Sequence, residues 1–488
     1  MSAHQTLAKN TLFLTAASIG QKVIALVYFF LISGYLGTEG TGGYFLALAM
    51  VTTIGVIDDI GLTSVLIRGV ASKPSEAATW LRNVLGYKVF TIPFTILLAF
   101  VVPALAGFDA EAAYLVRIAI AIMIADTLSL TCYGVLRGMQ SLKYESLGIF
   151  VGQLVTSVIG IGLVVTGTAT LPLLIVALIV GSVWNLVFSA VQVARCIGWG
   201  AFVPAYTMGN APLKMAFAFF LSAVFVKVYS YMDSFILNAT LGESAVGVYS
   251  IAYKMTYAFQ FLPLALVGAL YPSLSAAAGD PERLKKIFFA AEWYVALLAA
   301  PIVFGIWSLA PELVGLLKPE FAEAAGPLSI LIFVLIFIFL DFPIGSLLNA
   351  THRQATKTVI MGATMVINIS ANIYLIPRSN VEGASIAALI SFVFMFVAGW
   401  GSVAAAAKLS FAELVQKVGG FFLAGAVMGV VVIAAKAYIP WVSAIPIGAA
   451  VYVVLIFAMK TVTVDHLRQM RSIVRPEKPY ATNTSADN

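Results

Sequence analysis

Residues 22–47 read KVIALVYFFLISGYLGTEGTGGYFLA, and residues 227–252 read KVYSYMDSFILNATLGESAVGVYSIA. In both stretches a lysine is followed at the same intervals by Leu-Gly, Gly, Tyr and Ala, at a constant offset of 205 residues. Lys22 and Lys227 lie inside long apolar segments, where a charged side chain costs roughly 2.5–3.5 kcal/mol on insertion scales. The repeat therefore predicts a duplicated chain with a buried cation in each half.

The composition is that of a membrane protein. The 488 residues are 61% hydrophobic and only 10% charged, with a mean hydropathy of +1.00, whereas soluble domains carry about 25% charged residues. About 20 apolar residues cross the hydrocarbon core as a helix, and such segments recur fourteen times between residues 11 and 460. We predict an all-α polytopic membrane protein with fourteen transmembrane helices.

The distribution of positive charge predicts the orientation. With a cytoplasmic N-terminus, the predicted inner loops and the C-terminal tail hold 21 lysines and arginines, and the outer loops hold four. Cytoplasmic loops carry an excess of Lys and Arg. We therefore expect a multi-pass protein of the bacterial cytoplasmic (inner) membrane, with both termini cytoplasmic.

The repeat also predicts the domain organisation. Six helices separate the two copies, so both halves have the same orientation, as in transporters built from parallel repeats. We predict two pseudo-symmetric six-helix lobes followed by two extra helices. The predicted divisions are 1–194 for the N-terminal lobe, 195–212 for a cytoplasmic linker, 213–407 for the C-terminal lobe, 408–460 for helices 13 and 14, and 461–488 for a disordered cytoplasmic tail.

Three lysines inside predicted helices are the first candidate site. Thr15, Ser18 and Lys22 are spaced to lie on one face of helix 1. Lys227 takes the equivalent place in helix 7, and Lys254 lies in helix 8. A pair of equivalent buried cations predicts a cavity for a negatively charged group. The alternative is that each lysine pairs with a buried aspartate.

Polar and aromatic side chains near these lysines are candidates to contact sugars. Tyr249, Tyr253 and Tyr257 recur at successive turns of helix 8, although an interfacial aromatic belt would give the same pattern. The sugar-facing candidates are Thr15, Ser18, Tyr231, Ser250, Tyr253, Tyr257 and Gln260.

Acidic residues inside the predicted helices allow two interpretations. Buried carboxylates suit proton relays, and they also serve as counter-ions to buried lysines. The ion-coupling candidates are Asp58, Asp59, Asp126, Asp233 and Asp341. We expect Glu292, near the start of helix 9, at the membrane interface.

Cysteine and histidine patterns predict no further chemistry. Cys132 and Cys196 are far apart, and the three histidines are scattered, so we predict neither a disulfide framework nor a metal site. No loop is long enough to fold alone. We therefore predict no catalytic residues and no bound cofactor.

Four short sequence features, taken together, are typical of one family of membrane proteins. They are Asn10, Tyr35-Leu36-Gly37-x4-Gly42-x-Tyr44, Asp59-Ile-Gly61-Leu62 followed by Arg68, and Arg137-Gly138-x5-Tyr144. With them the chain resembles the Wzx-type polysaccharide biosynthesis flippases. That family belongs to the superfamily of the lipid II flippases and the multidrug and toxin extruders.

The resemblance implies a transporter whose two lobes alternate between inward- and outward-facing states around a cationic cavity. It implies an oligosaccharide linked to undecaprenyl pyrophosphate as the substrate, with Lys22, Lys227 and Lys254 binding the pyrophosphate. The implied partners are this glycolipid, membrane lipids and a polysaccharide polymerase. The implied energy source is a proton or sodium gradient, used by an antiporter. No arginine falls inside a predicted helix, which argues against lipid II as the substrate.

Three alternative functions would each require sequence features other than those of a flippase. A multidrug or cation extruder of the related class would need an acidic cavity and usually has twelve helices. A membrane-embedded glycosyltransferase or ligase would need outer loops that carry catalytic acids, but the predicted outer loops are short. A scaffold protein would have no reason to bury ions in duplicate. The flippase interpretation fits these features best.

Overall fold

The computed structural model describes residues 3–263, 273–277 and 279–463. The first half of the chain is helical. Its helices are α1 (Ala3–Asp59), α2 (Leu62–Ser72), α3 (Ala77–Leu105), α4 (Ala110–Gly138), α5 (Leu142–Val165) and α6 (Leu171–Ile197). In hydrocarbon every backbone polar group must be satisfied within its own segment, which is why such apolar sequence folds as helices.

The second half and the C-terminal part continue the same architecture. Their helices are α7 (Ala211–Leu241), α8 (Glu243–Tyr257), α9 (Pro281–Val314), α10 (Ala325–Leu331), α11 (Val334–Ala350), α12 (Gln354–Ala407), α13 (Phe411–Ala435) and α14 (Trp441–Ala458). Short 3-10 turns flank several of them. They are Pro74–Glu76, Trp199–Phe202, Ala258–Gln260 and Pro319–Ala324.

Ten helices in the described part of the chain are long and apolar enough to span a membrane, or eleven if α10 and α11, which meet at 41°, form one span. Two of the ten are longer than one crossing. The spanning part of α1 has 41 residues, or roughly 60 Å at the helical rise, and α1 breaks at Gly37 (φ 76°). α12 breaks at Asn380 (φ 49°). The fourteen crossings stay a prediction.

The linker between the halves packs against the first half. Asn83 of α3 accepts hydrogen bonds at its side-chain oxygen from the backbone N–H groups of Thr207 (2.7 Å) and Met208 (2.9 Å). Its amide group donates to the hydroxyl of Thr207 over 2.9 Å. The residues that precede α7 are therefore anchored to α3. The predicted domain divisions themselves stay predictions, as does the nature of the tail, since residues 464–488 lie outside the described residues.

We use the predicted orientation to name the two ends of the helix bundle the inner (cytoplasmic) face and the outer face. The inner face is where α3, α7 and α9 begin, and the outer face is where α1 turns at Gly37 and α8 begins. At the outer face the repeated glycines of the two halves pack reciprocally. A Cβ atom at Gly42 would overlap the carbonyl oxygen of Glu243, and one at Gly247 would overlap that of Thr38. Because glycine has no Cβ, the two backbones close the outer face here.

Towards the inner face, α7 also contacts the first half. Gly61, which precedes α2 with φ 74°, lies so close that an added Cβ atom would be 2.9 Å from the backbone nitrogen of Phe220. Farther along, α7 packs against α12 of the second half. The main contacts between the halves come from α1 and α2 on one side and α7 and α8 on the other. α7 thus connects both halves along one side of the space between them.

Candidate functional site

Open space lies between the two halves, below the closed outer face. It comprises two adjoining cavities of about 480 Å³ and 300 Å³, which share Thr52 and Asp126 in their walls. The larger cavity is lined mainly by α1, α4, α5 and α6, and the second half contributes Tyr231 and Lys254. The smaller cavity reaches α7 at Lys227. Both halves therefore contribute walls to this space.

A third cavity lies within the second half. It measures about 430 Å³ and is bounded by α7, α8, α11 and α12. Its polar lining includes Tyr257 and Gln260 near the end of α8, Asp341 of α11 and Lys357 of α12. Tyr253 also lines it, whereas Lys254, the next residue of α8, lines the cavity between the halves. α8 thus separates the two spaces.

The structure places two of the three predicted lysines, Lys227 and Lys254, in the walls of the space between the halves, with Lys22 near them. The ammonium group of Lys254 lies 5.3 Å from the ring centre of Phe29 and 5.5 Å from that of Phe45. The ammonium of Lys227 lies 5.7 Å from the ring centre of Tyr231. Lys22 is exposed, and its positive charge acts on both other lysines.

None of the three lysines forms an ion pair with any residue in the described part of the chain. Lys227 and Lys254 instead contact aromatic faces, which attract cations through the ring quadrupole without neutralising them. Three cations that repel one another in a poorly screened space favour the binding of an anion. This chemistry suits a group with more than one negative charge.

The tyrosines of α7 and α8 form a continuous aromatic surface. The rings of Tyr231 and Tyr253 stack with centres 6.1 Å apart, and those of Tyr253 and Tyr257 are 4.3 Å apart. Tyr253 also meets Phe45 of the first half edge-on at 5.4 Å. Gln260 lines the third cavity beside them. These four candidates therefore border open space.

Of the three other sugar-facing candidates, only Ser250 has a described side chain, and it does not add to this surface. Ser250 is fully buried, and its hydroxyl donates to the carbonyl of Gly247 over 2.7 Å. Close helix packing explains its position, because Ser250 lies on the side of α8 that meets α1. The side chains of Thr15 and Ser18 lie outside the described residues.

The five acidic candidates divide into two groups. Asp59, Asp126 and Asp341 line cavities, with Asp126 shared by both cavities between the halves. Asp58 and Asp233 are buried away from open space. Asp233 accepts hydrogen bonds from the hydroxyl of Tyr249 and, over 2.7 Å, from the backbone N–H of Ser234. These bonds hold Asp233 within the core of the second half.

Asp58 is the counter-ion of Lys88, a residue that the charge pattern places in an inner loop. Lys88 lies within α3 and is 1% exposed, and its ammonium contacts the Asp58 carboxylate at 2.7 Å. The hydroxyl of Thr91 donates to the same carboxylate over 2.7 Å, and Lys88 donates to Thr127 over 3.1 Å. The pair fastens α3 to α1 and α4. Sequence reasoning missed it because the partners are 30 residues apart.

The expectation that no arginine falls inside a helix is wrong, since the helices contain Arg68, Arg82, Arg117, Arg195, Arg283, Arg378 and, beside a cavity, Arg137. Arg137 lies in the last turn of α4 and lines the larger cavity between the halves. Its guanidinium forms a two-bond ion pair with Glu145 of α5, in which Nε donates over 2.7 Å. The Arg137-Gly138 motif was visible in the sequence, but α4 extends farther towards the inner face than its apolar segment.

Glu292 is not interfacial as expected. It is the twelfth residue of α9 and is completely buried. Neither carboxylate oxygen has a hydrogen-bond partner among the described residues. Phe288 and Trp293, which flank Glu292 in the sequence of α9, are buried as well. The hydropathy pattern alone does not show how deep along its helix a lone acidic residue lies.

Comparison with protein families gives two matches. Residues 7–278, more than half of the chain, match the family described as polysaccharide biosynthesis protein. Residues 218–374 match the family described as MatE. The second match falls within the second half of the fold, where the third cavity lies.

Curated relatives are similar over much of their length. The chain is 24% identical over 392 residues to the probable low-salt glycan biosynthesis flippase Agl15 of Haloferax volcanii, covering 79% of this chain and 81% of the relative. It is 22% identical over 346 residues to the succinoglycan biosynthesis transport protein ExoT of Rhizobium meliloti, covering 67% and 66% respectively.

Solved structures share the fold. The lipid II flippase MurJ in an inward closed conformation superposes with a TM-score of 0.77 at 15% identity, over 95% of this chain and all of that one. An inward-facing multidrug resistance MATE family transporter of the MOP superfamily gives 0.65 at 17% identity, over 80% and 96%. At these identities the likeness concerns architecture.

Proposed function

Because this chain belongs to the polysaccharide biosynthesis protein family, we propose that it is a flippase for a lipid-linked oligosaccharide. The substrate is a glycan on undecaprenyl pyrophosphate, which moves from the cytoplasmic to the outer leaflet of the inner membrane. The chain acts as a transporter and carries out no covalent step. Relatives named for glycan biosynthesis flippase and transport roles support this assignment.

The observation that carries the proposal is the convergence of Lys22, Lys227 and Lys254 without counter-ions in the described residues. A pyrophosphate is a compact polyanion that cannot enter hydrocarbon without compensation. The ammonium groups of Lys227 and Lys254, which line the space between the halves, and that of Lys22 near them would compensate its charge. Their unpaired state leaves them available to a ligand rather than to the fold.

The surroundings suit the rest of such a substrate. The aromatic surface begins at Tyr231, which lies beside Lys227, and continues through Tyr253 and Tyr257 into the third cavity, where it offers apolar faces with hydroxyl groups at their edges. Sugar rings present both apolar C–H faces and hydroxyls, so they match this surface. The lipid tail would remain in the bilayer.

Transport requires the two halves to expose the cavity alternately. The present state is closed at the outer face by the packing of Gly42 and Gly247, while Arg137 and Glu145 line the cavity at its inner end. Release to the outer leaflet then requires these glycine contacts to separate. We propose that an ion gradient drives the cycle by antiport, with Asp126 and Asp341 as the cavity-lining carboxylates that bind the coupling ion. A polysaccharide polymerase is the expected recipient of the product.

The test is a double variant, Lys22→Ala with Lys227→Ala, in cells that depend on this chain for surface glycan. Charge-assisted hydrogen bonds contribute about 1.5–3 kcal/mol each, so we expect surface glycan to fall at least tenfold. Lipid-linked oligosaccharide should accumulate in the cytoplasmic leaflet, while the variant inserts normally.

Two controls accompany it. Lys143→Ala with Lys214→Ala removes the same charge from exposed positions outside the cavities and should leave transport unchanged. Lys22→Arg with Lys227→Arg keeps the charge and should retain most activity. Normal surface glycan in the alanine variant would exclude the cationic cavity as the binding site.

A cation extruder is the second candidate, favoured by the MatE match and by the cavity carboxylates Asp126 and Asp341. The three lysines, which have no ion-pair partner among the described residues, oppose a cationic substrate, because like charges repel in a poorly screened cavity. Efflux of a lipophilic cation such as ethidium from cells expressing the chain separates the candidates. We expect none above background.

A further inference from the structure

A charged cavity lies apart from the space between the halves, at the inner ends of α9 and α13. Its volume is about 400 Å³. It shares no lining residue with the cavities described above. The side chains that matter for its chemistry are Lys285, Lys286, Phe289 and Trp293 of α9 and Glu413 and Lys417 of α13. We call it the α9–α13 pocket.

An ion pair joins the two helices at this pocket. The ammonium of Lys285 lies 2.6 Å from the carboxylate of Glu413, and both side chains are about 30% exposed. On α9, Lys285, Phe289 and Trp293 follow one another at intervals of four residues and therefore lie on one face. The pocket is thus formed by facing sides of two packed helices.

Two more lysines border the pocket without partners. Lys286 and Lys417 are exposed, and neither forms an ion pair within the part of the chain that the structure describes. Glu282 also lines the pocket, so the wall contains three lysines and two glutamates. Because Glu413 is already paired with Lys285, the free positive charge is concentrated on Lys286 and Lys417.

The charged side chains of the pocket lie near the inner end of α9. α9 begins at Pro281, capped by Asp280, which accepts from the backbone N–H of Arg283 over 3.1 Å. Lys286 is therefore roughly 8 Å along the helix, and Trp293 roughly 18 Å along it. The Trp293 indole packs edge-on against Phe421 at 5.3 Å and donates to the carbonyl of Thr461 over 3.1 Å. The charged side chains of the pocket therefore lie near the inner face, and the rings of Phe289 and Trp293 lie farther along α9. We call these two rings the aromatic floor of the pocket.

We propose that the α9–α13 pocket binds the phosphate headgroup of an anionic phospholipid from the inner leaflet. Lys286 and Lys417 hold the phosphate, and the aromatic floor receives the glycerol backbone. The acyl chains lie along the apolar surface of α13, where Val415 is 51% and Leu423 56% exposed. Basic pockets between transmembrane helices on the cytoplasmic side bind such headgroups. A free phosphate would leave this apolar surface uncovered.

The test measures phosphatidylglycerol retained by the purified full chain in nanodiscs of phosphatidylethanolamine with a small fraction of phosphatidylglycerol, read by native mass spectrometry. Each lysine near a membrane surface contributes about fivefold in affinity for anionic lipid. Lys286→Ala with Lys417→Ala should therefore weaken retention about 30-fold. The Lys143→Ala, Lys214→Ala double variant carries the same charge change and should retain the lipid.

A third variant should strengthen the binding of phosphatidylglycerol instead of weakening it. Glu413→Gln releases Lys285 from its ion pair, so phosphatidylglycerol should bind more tightly, which a purely structural role of the pair would not produce. Equal retention by the pocket variant and the wild type would overturn the proposal. So would equal retention of phosphatidylethanolamine, displacement by inorganic phosphate alone, or preferential binding of undecaprenyl pyrophosphate, which would make the pocket a substrate site.

Discussion

The hydroxyl of Ser244 donates a hydrogen bond to the hydroxyl of Thr38 over 2.8 Å, and this bond crosses from the second half of the chain to the first at the outer face. Thr38 follows the break of α1 at Gly37, and Ser244 lies in the first turn of α8. The bond lies beside the reciprocal contacts of Gly42 and Gly247. The duplicated sequence segment therefore forms the contact that closes the outer face.

A disulfide at this contact should lock the transporter. In a Cys196→Ser background, which removes the exposed native cysteine, Thr38→Cys with Ser244→Cys should oxidise readily because the native hydroxyl oxygens are 2.8 Å apart. Export of lipid-linked oligosaccharide should stop and recover on reduction. Each single cysteine variant is the control and should be insensitive to oxidant. Full export with the disulfide formed would show that the outer face need not open.

Gly42→Ala should shift the chain towards an outward-open state. The added methyl group would overlap the carbonyl oxygen of Glu243, so the closed packing must separate. Spin labels at Thr168 and Leu316, exposed at the outer ends of the two halves, should move apart. Gly34→Ala in the same helix is the control, since its added methyl group meets nothing within 4 Å. An unchanged label distance in Gly42→Ala would contradict the closed-gate interpretation.

The closed outer face should be sensitive to pH through Glu243. Burial raises the pKa of this carboxyl from its ordinary value of 4.5 to about 7, and the charges of Asp109, Glu111 and Glu39 add to the effect. On opening, the carboxyl regains water and its ordinary pKa. The closed state is therefore favoured below about pH 4.5 and progressively loses this advantage as the pH rises to about 7.

The same spin-label pair measures this effect. The outward-open population should be larger at pH 8 than at pH 5, and Glu243→Gln should remove the difference by keeping the side chain neutral. Because Glu243 is partly exposed, the change should diminish with ionic strength. A pH dependence that survives in Glu243→Gln would assign it to another group.

The sequence was enough to predict the helical class, and the repeat drew attention to Lys22, Lys227 and Lys254, whose role as a binding site stays a prediction. These features follow from hydropathy and from residue identity at a fixed offset. It did not predict that Gly42 and Gly247 meet, because equivalence in a repeat does not specify contact. It also did not predict the pairing of Asp58 with Lys88 or the depth of Glu292, since both depend on how helices far apart in the chain pack together.

The buried pair of Lys88 and Asp58 should dominate the stability of the first half. Lys88→Met leaves the Asp58 carboxylate buried without a cation, which costs about 3–5 kcal/mol. The midpoint of thermal unfolding in detergent should therefore fall. Lys73→Met, at an exposed pair with Glu76, should change stability by less than about 1 kcal/mol. Adding Asp58→Asn to Lys88→Met should recover much of the loss, because no charge then remains buried.

In contrast to Lys88→Met, the substitution Glu292→Gln should stabilise the protein. The Glu292 carboxyl is fully buried, and its oxygens have no hydrogen-bond partner among the described residues. An amide of the same shape avoids the cost of burying a charge, so the free energy of unfolding should rise by about 1–3 kcal/mol. Glu145→Gln is the matched control, because it breaks the ion pair with Arg137 and should lower stability. If both substitutions destabilise the chain alike, Glu292 has a partner that its surroundings do not reveal. If Glu292→Gln stabilises the chain but slows export, the unpaired carboxyl is retained for transport at the expense of the fold.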